Sequence, residues 1–334
     1  MRALLVGAGG MGRTWGQNLK DHQEVTFAGW VDVRPDAAAE ASHALEVTPD
    51  YTGTDIDEAV AKCKPDFLVD VTPPEVHRDV TLKALGHGLP VIGEKPMAAS
   101  MEQARAMVAA SERAGKLYMV SQSRRYIGQI HAYRELIKNH LGSLGILNVD
   151  FFIGAHFGGF RDEMPSPLVL DMAIHTFDEA RYLSDADPVS VFAEEFNPSW
   201  SWYKGDVCAN ALFEMSGGLR FAYRGSWCAE GYSTSWDGDW RAVGPNGTAV
   251  WEKNHAPVAQ VVEKAGGFHS EMKDVEIAVP SIAEGINGSL TEFLTALKTG
   301  STPNGECHDN IKSLAMVFAA IESSALGKRV KVEI

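Results

Sequence analysis

Short apolar runs separated by amphipathic stretches fill the first third of the chain. Ala3–Val6, Thr26–Val31, Asp66–Val71, Pro90–Gly93 and Tyr118–Ser121 are mostly apolar with little polar alternation, the pattern of strands buried on both faces. Between them, helical patterns run to about Lys20 and then over Asp36–Leu45, Asp55–Cys63, Glu75–Gly86 and Met101–Ala114. Start and stop signals agree with these bounds: Pro73 and Pro74 end a strand, Ser100 stands where a helix is capped, and Gly115 where it closes. Strands and helices in alternation predict an α/β domain with a doubly wound parallel sheet.

Beyond Arg124-Arg125-Tyr126 the rhythm changes. A helix over Gly128–His140 leads to an alternating strand at Leu144–Phe152, then to a glycine-rich loop, Gly154–Asp162, and an apolar helix over Leu168–Asp178 with Pro167 in its first turn. From Val189 to about Val279 the chain is strand-like, with Val189–Glu195, Val207–Met215, Leu219–Trp227, Ser233–Val243 and Thr248–Trp251 as strands joined by turns such as Ser216-Gly217-Gly218 and Pro245-Asn246-Gly247. Tryptophans are dense here (Trp200, Trp202, Trp227, Trp236, Trp240, Trp251), as expected of a sheet face packed against helices or another subunit. Helices over Ser281–Lys298 and Asp309–Leu326 and a strand-like tail at Arg329–Ile334 complete the pattern. The expected organisation is a first domain over 1–123 and an α+β domain over 124–334 with a large, mostly antiparallel sheet, its C-terminal helices able to pack back on the first domain.

Composition narrows the function classes. A chain of 334 residues, 45% hydrophobic and 22% charged, has the length of two globular domains and enough apolar side chains for a core in each. The net charge of −14, with no basic cluster, argues against nucleic acid as a partner. Cys63, Cys208, Cys228 and Cys307 are scattered without a C-x-x-C pair, so neither a metal site nor a disulfide framework is expected. The N-terminal apolar run is too short for a signal h-region, and none reaches the roughly 18 residues of a membrane span, so a soluble cytoplasmic protein is expected.

Candidate chemistry begins at the first turn. Gly7-Ala8-Gly9-Gly10-Met11-Gly12 is a G-x-G-x-x-G loop between a strand and a helix, suited to a pyrophosphate at a helix N-terminus, with Gly10 and Met11 completing the cradle. Asp32 ends the second strand twenty residues after Gly12, where a carboxylate bonds a ribose 2′-hydroxyl. That favours NAD over NADP, while Arg34 either reaches a 2′-phosphate or lies solvated beside the adenine. Glu94 and Lys95 follow the Pro90–Gly93 strand at the sheet end that holds ligands in such folds. Asp171 and His175, at i and i+4 on a helix, would share one face, an acid beside a candidate general base. His156 and Arg161 give the Gly154–Asp162 loop a composition suited to closing over a polar ligand.

Gly7-x-Gly9-x-x-Gly12, Asp32, Thr72-Pro73-Pro74 followed by His77, and Glu94-Lys95-Pro96 together resemble the N-terminal domain of the Gfo/Idh/MocA family, which includes glucose-fructose oxidoreductase and inositol dehydrogenase. The resemblance implies a Rossmann domain in which Lys95 lies beside the nicotinamide and the reacting carbon, and Thr72, Pro73 and His77 belong to a segment lining the cofactor. The Asp171–His175 pair resembles the family's D-x-G-x-H motif, whose acid and histidine join the lysine at the substrate, and Arg125 and Tyr126 match an arginine and an aromatic near the domain junction. Two departures alter the pocket's shape: Ala173 replaces the usual glycine, and Ser166-Pro167 stand where the family often has glycines. The resemblance thus implies an NAD(P)-dependent oxidoreductase acting on a secondary alcohol of a sugar, cyclitol or related polyol without a metal, assembled as a homodimer or homotetramer through the second-domain sheet. The alternatives are a non-catalytic dinucleotide-binding sensor or regulator, and a family enzyme performing elimination or hydrolysis through transient oxidation.

Overall fold

The computed structural model describes residues 1–334, which form two compact units: 1–123 with 283–311, and 124–282 with 312–334.

In the first unit, strands β1 (Arg2–Val6), β2 (Thr26–Val31), β3 (Tyr51–Gly53), β4 (Phe67–Asp70), β5 (Val91–Gly93) and β6 (Tyr118–Val120) form one sheet in the order β3-β2-β1-β4-β5-β6, every pair parallel. Helices α1 (Gly10–Asp21), α2 (Ala37–Ala44), α3 (Ile56–Cys63), α4 (Pro74–Gly86) and α5 (Met101–Ala114) make the crossovers. Local chemistry sets their ends. Asp55 accepts a bond from the Glu58 amide at 3.0 Å to start α3, Ser100 does the same for the Gln103 amide at 3.2 Å to start α5, and Gly115 closes α5 at φ 58°. The edge strand β3 was not expected, because a short, half-buried strand carries no apolar run. Helix α9 (Gly285–Thr299) also belongs to this unit, setting Phe293 against Phe67 at 5.4 Å and Lys298 on Glu24 at 2.5 Å.

In the second unit, α6 (Gly128–Leu136) leads to β7 (Ile146–Phe152), the short α7 (Phe160–Glu163), α8 (Ile174–Ser184), and strands β8 (Pro188–Phe196), β9 (Cys208–Met215), β10 (Arg220–Ser226), β11 (Asp239–Gly244), β12 (Gly247–Trp251), β13 (Val258–Lys264) and β14 (Glu271–Glu276). Helix α10 (Cys307–Leu326) starts in the first unit and continues into the second from Lys312, followed by β15 (Val330–Lys331). The sheet order is β14-β13-β12-β11-β7-β10-β9-β8-β15, antiparallel except for β7 with β10. Its inner face packs on α8, with Phe177 edge-on to Phe213 at 4.9 Å and to Tyr223 at 5.3 Å. A directly paired row, Phe192–Leu212–Ala222–Asn148–Arg241–Val250–Val258, crosses the other face and leaves Phe192, Leu212 and Val258 exposed.

Four expectations need correction here. The helix expected over Gly128–His140 turns π-helical at Ile137–Leu141, and the one expected over Leu168–Asp178 is π-helical at Leu168–Ala173 before becoming α8. The strand expected from Ser233 begins at Asp239, because the Ser235 hydroxyl takes the Asp237 amide at 3.3 Å and donates to the Gly238 carbonyl at 3.1 Å, building a turn. Trp227, Trp240 and Trp251 are buried, but Trp200 and Trp236 are 73% and 46% exposed, so the tryptophans do not form one packed face. Strands β13 and β14 fall within the strand-like stretch but were not delimited, since most of their residues stay exposed and their polar content hides the alternation. All four cysteines are buried free thiols, and no helix is long and apolar enough to cross a membrane.

Candidate active site

The glycine loop divides its labour. A Cβ on Gly12 would stand 2.2 Å from the Gly7 carbonyl oxygen, and one on Gly7, already at φ 107°, would stand 2.5 Å from the Val71 oxygen. These two glycines are required by the packing of β1, α1 and the turn after β4. Gly9 and Gly10 are different: a Cβ on either meets no heavy atom within 4 Å. Their backbone faces open space at the start of α1, where the free amides of a helix N-terminus favour an anion, and Met11 beside them is half exposed. The loop therefore fits a dinucleotide pyrophosphate.

Asp32 is buried at the end of β2, its Oδ2 accepting from the Ala8 amide at 2.7 Å and its Oδ1 from the Arg34 amide at 2.9 Å and Arg34 Nε at 3.1 Å. Burial alone would raise its pKa, but the bonds from Arg34 and Ala8 outweigh that and hold the carboxyl below its ordinary value. Arg34, largely exposed, thus leans on Asp32.

Several residues expected to line the cofactor also hold the scaffold. His77 is buried, with Nε2 2.6 Å from the Thr72 carbonyl and Nδ1 3.0 Å from that of Pro96, so it staples the turn after β4 to the turn after β5. Glu94 accepts from Trp15 Nε1 at 2.8 Å and from the Lys95 amide at 3.1 Å, tying the lysine's backbone to α1. Thr72 donates its hydroxyl to buried Asp70 at 2.6 Å and Pro73 precedes the first turn of α4. Asp70 and Trp15 were not singled out from the sequence, although an acid closing an otherwise apolar strand was the available signal. Lys95 itself is half-buried, joined to Pro96 by a cis peptide, and follows β5 at the sheet end where the glycine loop lies.

In the second unit, Asp171 sits in the π-helical turn, where bonds run i to i+5, so its rotation relative to His175 is not that of an α-helix. Its Oδ2 accepts from Arg161 Nε at 2.5 Å, and the Arg161 guanidinium lies over the rings of Phe157 at 4.9 Å and Phe160 at 4.7 Å. His156 stacks on Trp202 at 3.7 Å between centroids and meets Glu230 at 2.7 Å. The loop thus presents an aromatic and charged surface next to Asp171, with Phe160 66% exposed. His175 is buried in the first turn of α8. Arg125 and Tyr126 are both buried, and Arg125 makes two bonds of 2.7 Å to Asp178, a buried ion pair.

Residues 1–122 match the oxidoreductase family with an NAD-binding Rossmann fold, and residues 130–250 match the Gfo/Idh/MocA C-terminal domain. The chain is 27% identical to an uncharacterized protein, y4oX, of Sinorhizobium fredii over 99% of its own length and 96% of that protein's. It is 32% identical to an inositol 2-dehydrogenase of Arthrobacter sp. (strain FB24) over 57% of its length, spanning 56% of that enzyme. Among solved structures, an oxidoreductase from Agrobacterium radiobacter in complex with NAD+, L-tartaric acid and magnesium superposes with a TM-score of 0.87 at 22% identity, covering 99% of this chain and 98% of that one.

The two classes of glycine separate by mutation. Gly12→Ala should lose about 1–3 kcal/mol of stability in urea unfolding, the scale of an overpacked site. Gly9→Ala should unfold like the parent yet bind NAD about tenfold or more weakly by calorimetric titration, about 1.4 kcal/mol. Unchanged NAD affinity in Gly9→Ala would remove that glycine from the cradle.

Proposed function

Since the chain belongs to the Gfo/Idh/MocA oxidoreductase family, with both the NAD-binding Rossmann domain and the C-terminal domain, we propose that it oxidises a secondary alcohol of a sugar, cyclitol or related polyol, or reduces the matching ketone. The observation that carries this reading is the position of Lys95 directly after β5, at the same end of the parallel sheet as a glycine loop with open space at Gly9 and Gly10. Gly9, Gly10 and Met11 would hold the pyrophosphate and Asp32 the ribose. Bound NAD supplies the acceptor for the hydride. The family resemblance assigns the proton acceptor's part to His175, with Asp171 orienting it or a neighbouring hydroxyl, and to Lys95 the part of a hydrogen-bond donor to a substrate oxygen on which negative charge grows. Arg161 holds the Asp171 carboxylate in place, and with His156 it offers polar contacts to a hydroxylated ligand. The similarity to an inositol 2-dehydrogenase supports a cyclitol or sugar as the substrate class. Four buried free thiols accord with a reducing, cytoplasmic setting.

A panel of polyols and sugars, each offered with NAD and with NADP and followed at the nicotinamide absorbance, tests the reading. Turnover is expected with NAD as the better cofactor, because the Asp32 carboxylate repels a 2′-phosphate. A kcat/KM with NADP equal to or above that with NAD would overturn the preference, and no net reduction of either cofactor across the panel would overturn the reaction.

His175→Ala should lower kcat by roughly 10²–10⁴ with NAD affinity nearly intact, the usual contribution of a general base. Lys95→Ala should also lose most turnover, and Lys95→Arg should not restore it, since a planar guanidinium does not replace a compact ammonium at one oxygen. Near-parental turnover and an unchanged pH profile in His175→Ala would place the base elsewhere.

We also propose a homodimer or homotetramer formed through the outer face of the nine-stranded sheet, where Phe192, Leu212, Val258 and Met272 lie exposed. Light scattering at micromolar concentration should report the oligomer, and Leu212→Glu should shift it towards monomer. A monomeric parent protein would sink the proposal.

A further inference from the structure

Arg161 spends only part of its guanidinium on the protein. Nε donates to Asp171 Oδ2 at 2.5 Å, and neither terminal nitrogen donates a hydrogen bond to another group of the chain. The guanidinium carbon stands 4.9 Å from the centre of the Phe157 ring and 4.7 Å from that of Phe160, so an ion pair and two aromatic contacts fix the plane in which those nitrogens lie. Phe157 packs in turn on buried Trp227 at 5.1 Å, which anchors the arrangement in the second unit. The Arg161 side chain is 32% exposed and Asp171 16%, so the pair is open to a ligand. The other cations of this loop are turned to acids, His156 to Glu230 at 2.7 Å and Lys204 to Glu163 at 2.5 Å. An exposed arginine usually moves freely and has to be ordered when it binds; one whose plane is already held loses less. Its free edge carries parallel N–H donors on two nitrogens, which match the two oxygens of a carboxylate, whereas a hydroxyl uses one of them. A doubly charged phosphate fits less well, because Asp171 already offsets the arginine and Asp162, Glu163 and Glu230 add negative charge on or against the same loop.

We propose that the two terminal nitrogens of Arg161 form a carboxylate-binding subsite, and that the substrate is a polyhydroxy acid such as an aldonate or a uronate rather than a neutral polyol. This deepens the reaction proposed above and rests on that reading of the site around Asp171. Arg161 serves two anions at once, Asp171 through Nε and the substrate carboxylate through the opposite edge. The carboxylate stays unchanged in the reaction: the hydroxyl that is oxidised lies elsewhere on the same carbon chain, and Arg161 selects the substrate and sets its register. Phe157 and Phe160, 44% and 66% exposed, give the subsite an apolar rim that keeps water from the charge-assisted bonds.

The test offers the full-length protein, with NAD, compounds matched on one carbon skeleton: aldonates with their alditols, hexuronates with their hexoses, and hexose 6-phosphates as the phosphate arm. In the parent protein the best acid should exceed its neutral partner in kcat/KM by about 10–10²-fold, the scale of a pair of charge-assisted hydrogen bonds. Because Arg161 also holds Asp171, Arg161→Gln should slow every compound, but the acid-to-neutral ratio should fall to near one. Arg161→Lys keeps the charge without the fork and should restore only part of that ratio. A neutral partner used as well as its acid by the parent, a 6-phosphate preferred to both, or an equal loss for acid and neutral in Arg161→Gln would each rule the subsite out. If no compound is oxidised, calorimetric titration of the NAD-loaded protein with the same set separates the two readings. Acids that bind, and lose that binding in Arg161→Gln, leave the subsite standing and remove the reaction; acids that bind no better than their neutral partners remove the subsite.

Discussion

Helix α8 is buried from Ile174 to Leu183, so its ionisable residues need compensation inside the second unit, which Asp178 and Arg181 find and Glu179, whose carboxyl oxygens have no hydrogen-bond partner, does not. The chain Arg125–Asp178–Ser313–Arg181–Asp187–Lys312 is the result, with Lys312 closing on Asp187 at 2.7 Å. It ties the segment after β6, helix α8 and the second part of α10 to one another through charge rather than through apolar contact. Such a network adds little net stability against an apolar alternative, but removing one member leaves a buried charge exposed to the full desolvation penalty, on the order of 3–5 kcal/mol. The packing of Phe177 against Phe213 and Tyr223 fixes the helix on the sheet, and the ion pairs fix its rotation. That rotation decides where His175 and Glu179 point.

The first unit follows the same rule with smaller pieces. Asp32, Asp70 and Glu94 all stand at the carboxyl ends of parallel strands, and each spends its oxygens on nearby amides, hydroxyls or an indole. His77 bonds two turns together in the same region. The carboxyl edge of the sheet is therefore shaped by its own acids before a ligand is considered. Turned outward there are the backbone at Gly9 and Gly10, the Met11 side chain, most of Arg34 and part of Lys95.

Much of this was legible in the residues. Fully apolar strands, capping at Ser100 and Gly115, and the spacing from Gly12 to Asp32 are local signals, and the parallel sheet follows from them. The π-helical turn at Leu168–Ala173 was not legible, because its apolar pattern is equally compatible with α-helix, and its neighbours on β9 and β10 are distant in sequence. Strands β13 and β14 were not delimited for a different reason, since little of them is buried and their exposed residues dilute the alternation.

By itself the sequence determined the βα rhythm of the first unit and the glycine loop, because periodicity and φ requirements act within a few residues, and it offered candidate residues for hydride-transfer chemistry. Only the tertiary structure decided which charge each of those residues meets. Arg125 lies 53 positions from Asp178, Trp15 lies 79 from Glu94, and Arg161 closes on Asp171 across a loop and a π-helical turn. The same is true of the absence of a partner for Glu179. Whether a buried ion is matched or left over depends on long-range packing, and no spacing along the chain encodes it.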